Sequence, residues 1–388
     1  MRHHSPGKIA LWASVFLSLA ACQAGPSPSS PVALVVFDAG ETLGLLPVAA
    51  RLRSTGTEVM WIPLTPWAAD LLTVNGEPFY PLPDGVSGMP HVQDRDSRSD
   101  LGYWEKMLMG DPPALVVSGM VSVAQGQIAD RLRRAGIPTR GFFDGFQPPA
   151  PGSLGAETAP SFDEIWVPTA RVQEGFRALG LEVVVAGQPS LESWRRASDE
   201  VDRDSVRRRQ GIGAAKRVLT FAGQYGPGYE EVLASFLGAI RELLDSDSSV
   251  ILVLSPHPRT DGTTERSALE KAGLPRAVLA VEGLSTMELA VTSDLILTWT
   301  STVGVQAAFM GKQVVYFEPP EDFDSDLVEG GIAVLAGASS LGPLLAGLLE
   351  DERSPEIIRE TLVASGYVVD ADRVVAEMVR RILPPSPR

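Results

Sequence analysis

The sequence predicts an α/β protein: two doubly wound domains facing each other across a cleft. Short apolar runs of β-branched type recur along the chain, and turns and helix-period segments separate them. Strands alternating with helices imply parallel sheets covered on both faces. The alternation breaks once, in the arginine-rich stretch 192–216, and then restarts. A chain of 388 residues is long enough for two cores.

The elements follow in order. Residues 32–37 (VALVVF) form a continuous apolar run, the mark of a strand buried on both sides. After the turn Asp38-Ala-Gly-Glu-Thr42, Leu45, Val48, Ala49 and Leu52 fall on one helix face, with Pro47 expected in the first turn. Residues 57–62 make the next strand. The unit repeats with a strand at 114–118, a helix through Ile128 and Leu132, and a strand at 138–143. Strands at 164–167 and 182–186 complete a first domain of residues 32–190.

Residues 191–216 read as a linker containing a polar helix, whose arginines alternate with acids as on a solvated face. A second domain follows over 217–366. Its strands are expected at 217–222, 250–254, 278–281, 294–299 and 313–317. A helix at 229–244 carries Val232, Phe236, Ile240 and Leu243 on one side, and Ser285 and Glu288 form a capping box. Gly311 ends a helix over 303–310, and an amphipathic helix within 367–388 closes the chain.

Ligands of open parallel sheets bind beyond the carboxyl ends of the strands, so the loops there carry the candidate chemistry. Gly223-Gln-Tyr-Gly-Pro-Gly228 lets backbone approach a ligand at Gly223 and Gly226, although glycines also serve any tight turn. In Ser255-Pro-His-Pro-Arg259, two prolines hold His257 in an extended segment, with Arg259 two residues on. Thr298-Trp-Thr-Ser-Thr302 opens a helix that Ser301 or Thr302 would cap, with hydroxyls left to meet a phosphate.

This order of loops, ahead of Ala307-Ala-Phe-Met-Gly-Lys-Gln-Val-Val315, resembles the GT-B glycosyltransferases. The likeness is nearest to bacterial sialyl-, Kdo- and polyol-phosphate transferases, with some similarity to non-hydrolysing nucleotide-sugar epimerases. The first half is similar too, with Asp38-Ala-Gly-Glu41 after its first strand and Thr57-Glu-Val-Met-Trp-Ile62 beyond the helix. The resemblance spans roughly 32–317 and implies two Rossmann-like domains, with the last helix crossing back to the first. It also implies that His257, Ser301 and Thr302 hold donor phosphates, with Arg259 as helper. The family's catalytic acid or base lies in an acidic pair followed by glycine. Phe143-Asp144-Gly145 matches with one acid missing, which leaves Asp144, Asp38 and Glu41 as alternatives. Asp144 before glycine also suits a turn. The reading calls for no metal and no cofactor.

Cys22, the one cysteine, bears on location. Arg2 and Lys8 form a positive start, and the thirteen-residue apolar run 9–21 is too short to cross a bilayer. Leu19-Ala-Ala-Cys22 resembles a bacterial lipoprotein signal, which implies cleavage after residue 21 and diacylglycerol on the Cys22 sulfur. Residues 22–31 then form a Pro/Ser-rich tether, and the body hangs outside the cytoplasm in the cell envelope. Gln23 rather than an acid favours the outer membrane of a Gram-negative host. Loss of residues 1–21 moves the net charge from −15 to −17, because Arg2 and Lys8 leave with them. An acidic body argues against nucleic acid as a partner.

Nucleotide sugars are made in the cytoplasm, so export leaves three readings. One is a glycosyltransferase-like enzyme using an exported donor, with a nucleotide sugar or phosphorylated glycan as ligand. Another is a non-catalytic saccharide-binding or phospho-ligand-binding protein. The third is an accessory lipoprotein for polysaccharide export or envelope assembly.

Overall fold

The structure, a computed structural model, describes residues 30–83, 101–181, 183–214, 216–258, 260–321, 323, 325–351 and 353–383. Cys22, Arg259 and all but the end of the tether lie outside the described residues. Among the described residues, no helix is long and apolar enough to cross a membrane.

The first sheet contains β1 (Val32–Val36), β2 (Val59–Pro63), β3 (Leu115–Gly119), β4 (Thr139–Phe142), β5 (Glu164–Val167) and β6 (Val183–Val185). Its strands run parallel in the order β2-β1-β3-β4-β5-β6. The second contains β7 (Arg217–Ala222), β8 (Val250–Ser255), β9 (Ala277–Leu279), β10 (Leu295–Thr298), β11 (Gln313–Phe317) and β12 (Ala333–Ala336). These are also parallel, in the order β12-β11-β10-β7-β8-β9. Central strands such as β1 and β3 are buried along their whole length, as parallel strands under helices on both faces must be.

Leu45, Val48, Ala49 and Leu52 of the helix Ala39–Ser54 are fully buried against the first sheet. Burial of each such aliphatic side chain stabilises by about 1.5–3 kcal/mol. Pro47 sits inside this helix, not in its first turn, because the helix starts at the Asp38 N-cap. The proline removes the donor that would meet the Leu43 carbonyl, and Leu43 lies on the exposed side where water can replace it. The final helix, Ala371–Ile382, buries Val374, Met378, Val379 and Ile382 in the core of the first domain.

The stretch 191–216 holds two helices, Leu191–Glu200 and Arg203–Arg209. Leu191, Trp194 and Ala197 of the first enter the core of the second domain. The second helix is pinned through Arg207, a buried residue that donates to the Thr292 carbonyl at 3.1 Å and pairs with Asp294 at 3.5 Å. Arg207 therefore departs from the solvated face expected of this stretch, and it fixes a helix onto the entry to β10.

Candidate functional site

Each sheet has one switch point, where successive strands change the side on which they are added. It lies between β1 and β3 in the first sheet and between β7 and β10 in the second. Crevices form beyond the carboxyl ends of strands at such points. The Asp38 cap and the first turn of the helix Ala39–Ser54 follow β1, the glycine loop follows β7, and the Trp299–Thr302 loop follows β10. The candidate loops thus flank the two switch points.

At the second switch point, the glycine loop is fixed from beneath and from the side. A Cβ on Gly223 would come 2.7 Å from Glu265 Oε1, 2.8 Å from Tyr229 Oη and 2.9 Å from the Ser255 carbonyl, so only glycine fits. The Tyr229 hydroxyl donates to the fully buried Glu265 at 2.7 Å. Burial, reinforced by that carboxylate, pushes the Tyr229 pKa up, and the Gln224 N–H donates to the tyrosine oxygen. Gly226 and Gly228 take left-handed φ values of 103° and 83°, which other residues adopt only with strain. The Gln224 side chain then meets Thr300 Oγ1 at 3.1 Å and joins the two loops.

In the β10 loop, Ser301 Oγ accepts from the Val303 N–H at 3.3 Å, while Thr302 makes no side-chain cap bond. Ser301 therefore caps the helix, and the exposed Thr302 hydroxyl has no capping duty. His257 is half-buried at the end of β8, its ring 4.5 Å from that of Tyr225 in an edge-on contact. The His257 carbonyl accepts from the Thr260 N–H at 2.8 Å, which closes the turn.

The acids gather at the first switch point. Asp38 caps the helix Ala39–Ser54, accepting from the Glu41 N–H at 3.3 Å. Glu41 is fully buried and accepts from the Phe37 N–H at 2.9 Å, the Gln125 side chain at 2.7 Å and the Val121 N–H at 3.3 Å. Burial raises its pKa well above the carboxylate range, and the neighbouring Asp38 and Asp144 raise it further. The Asp144 carboxylate lies against Gly40, where any Cβ would overlap it. Among the described residues, no group of three His, Cys, Asp or Glu is arranged to hold a metal ion.

Between the domains lies a cavity of about 400 Å³. Thr300, Ser301 and Thr302 line it from the second domain, and the turn from Phe143 through Ser153 lines it from the first. Tyr316, Phe323, Ser325 and Tyr367 complete the wall. Of the sequence candidates, Ser301 and Thr302 line this cavity. Asp144 sits between two lining residues, Phe143 and Gly145, without lining it. Gly223, Gly226 and His257 lie along the adjoining edge of β7 and β8, reached from Thr300 through Gln224 and Tyr225. Glu41 is separate, sealed beneath the first loop.

Sequence reasoning passed over Gln224, Tyr229, Glu265, Thr300 and the aromatic wall. Gln224 and Thr300 stood inside the quoted loops, so their position was available as a signal. For Glu265, only its place in the first turn of the helix Thr263–Ala272, after the His257 loop, pointed to the site.

No protein-family model matches the chain, and no curated protein matches it. Solved structures do. The UDP-GlcNAc 2-epimerase from Neisseria meningitidis, bound to UDP-GlcNAc, superposes with a TM-score of 0.71 at 14% identity, over 91% of this chain and 99% of that one. A glycosyltransferase from Rickettsia africae gives a TM-score of 0.63 at 10% identity, over 93% and 100%. HepE from Anabaena, in complex with UDP and glucose, gives 0.62 at 13% identity, over 90% and 98%. This chain has the GT-B fold. At these identities the likeness establishes the architecture and leaves the chemistry to this chain's own residues.

Proposed function

We propose that this protein binds a nucleotide-activated or otherwise phosphorylated sugar in the interdomain cleft and acts as a glycosyltransferase-like enzyme of the cell envelope. The observation that carries this reading is the meeting of the Thr300–Thr302 hydroxyl loop with the 143–153 turn across one cavity, beside the glycine loop and His257. In this reading the hydroxyls of Ser301 and Thr302, the backbone at Gly223 and Gly226, and His257 hold phosphate oxygens, assisted by Arg259. Charge-assisted hydrogen bonds of this kind are the strong ones. Two of the structural neighbours, the Neisseria epimerase with UDP-GlcNAc and HepE with UDP and glucose, carry such ligands, which supports the ligand class.

Asp144 is the proposed acid or base, with Asp38 as the alternative. Glu41, sealed and hydrogen-bonded, supports the loop electrostatically. One observation favours a second reading, a saccharide-binding protein without turnover. Asp38 acts as a helix cap and Glu41 is buried, so of the three candidate acids only Asp144 adjoins the cavity. The proposed lipid on Cys22 would hold either protein in the envelope, and an export-accessory role is compatible with both.

Thermal-shift and calorimetric titration with UDP, UDP-sugars and sugar phosphates tests the proposal, because a ligand of the native state raises Tm by mass action. His257→Ala should weaken phosphorylated ligands by roughly 1.5–3 kcal/mol. If none of these compounds binds the wild-type protein, the proposal fails.

A further inference from the structure

We infer that the sugar held in the interdomain cavity is uncharged, a neutral hexose or polyol, and that acidic sugars are rejected. This rests on the cleft reading above and narrows its substrate class. The wall is built from aromatic rings, namely Phe143, Phe146, Tyr316, Phe323 and Tyr367. Phe146 and Tyr367 pack with ring centroids 6.1 Å apart, and Tyr316 and Phe323 at 4.6 Å. Such faces suit the C–H side of a neutral ring, and the hydroxyls of Ser301, Thr302 and Ser325 can meet its OH groups.

No charged side chain is among the described residues lining the cavity. The described residues of the segments that supply most of its wall, 143–155, 299–305 and 316–326, include four acids and no lysine or arginine. Two of those acids flank the wall directly, Asp144 beside Gly145 and Asp326 beside Ser325. Arg171 approaches from the first domain, but it pairs with Asp326 at 3.3 Å and also with Glu329. A sugar carboxylate entering this cavity would lose water and gain no cationic partner among the described lining residues. The neutral part of a ligand therefore fits the cavity, and an anionic part is left to the edge near His257.

The test compares matched probes that differ by one carboxylate: UDP-glucose and UDP-galactose against their uronates by calorimetry, and methyl hexosides against methyl hexuronides by saturation-transfer NMR. The neutral probes should bind about tenfold or more tightly than their acidic partners. Gln147→Arg places a cation at an exposed position on the cavity wall and should narrow that gap, with circular dichroism confirming the fold. Equal or tighter binding of the uronates by the wild-type protein overturns the inference and leaves the nucleotide-sugar reading standing. Discriminating hexoside binding without any UDP-sugar binding does the reverse. If no probe binds at all, both are overturned.

Discussion

Gln224 and Thr300 hold each other across the switch point of the second sheet, amide to hydroxyl at 3.1 Å. The contact links the glycine loop after β7 to the hydroxyl loop after β10, and Thr300 itself lines the cavity. On the far side of the glycine loop, the Gln224 N–H reaches the Tyr229 oxygen, and Tyr229 donates to buried Glu265. The loop is thus tied to a buried carboxylate at one end and to the cavity wall at the other.

Thr300→Val keeps the shape and removes the hydroxyl. Its expected cost in unfolding free energy is about 0.5–1.5 kcal/mol, that of one hydrogen bond. Binding of UDP-sugars, measured by calorimetry, should weaken alongside. Full affinity in a folded Thr300→Val protein would show that this link does not position the loop.

Glu41 predicts a pH dependence. An acid whose pKa is higher in the fold than in the unfolded chain binds its proton more tightly when folded. Its contribution to stability is therefore fully present below the unfolded carboxylate value and declines as pH rises toward the folded one. Glu41→Gln has no proton to lose, so its Tm relative to wild type should climb between about pH 4 and 7. A Tm difference that stays flat across that range would mean that Glu41 ionises normally in the fold.

Arg171 joins the two domains through Asp326, whose second carboxylate oxygen is buried without a partner. Burial raises the Asp326 pKa, opposed chiefly by Arg171. Arg171→Ala leaves that carboxylate without its cation and should cost about 1–3 kcal/mol in chemical denaturation. Replacing both partners, Arg171→Met with Asp326→Leu, should be milder than the single change. A double variant at least as damaged as the single one would count against this account.

The anchor rests on Leu19–Cys22 and lies outside the described residues. Cys22→Ser should release the protein from membranes, or leave it unprocessed, without lowering the Tm of the body. A variant still lipid-labelled and cut at the same place would refute the lipoprotein reading.

Strand positions were legible because a parallel strand buried on both faces is written as a continuous apolar run. β5, β7 and β11 match the expected bounds 164–167, 217–222 and 313–317. The capping box at Ser285 and Glu288 is equally local, a reciprocal bond three residues apart, and it forms. Pro47 was misplaced because the start of its helix depends on the Asp38 cap, a side-chain bond that apolar periodicity does not report. The helices within 191–216 were obscured by their charge, since the burial of Arg207 depends on Asp294 and Thr292, more than eighty residues away.

The sequence by itself determined the alternation of strand and helix, the division into two halves and the loops after the strands, because turn chemistry and hydrophobic period act over a few residues. Only the tertiary structure decided which loops are neighbours. The strand order brings the loop after β7 beside the loop after β10, and the packing of β1 against β3 and its following helix seals Glu41. The aromatic wall of the cavity likewise joins residues from Phe143 to Tyr367. Those contacts are set by long-range packing of two sheets, and no short window of sequence contains them.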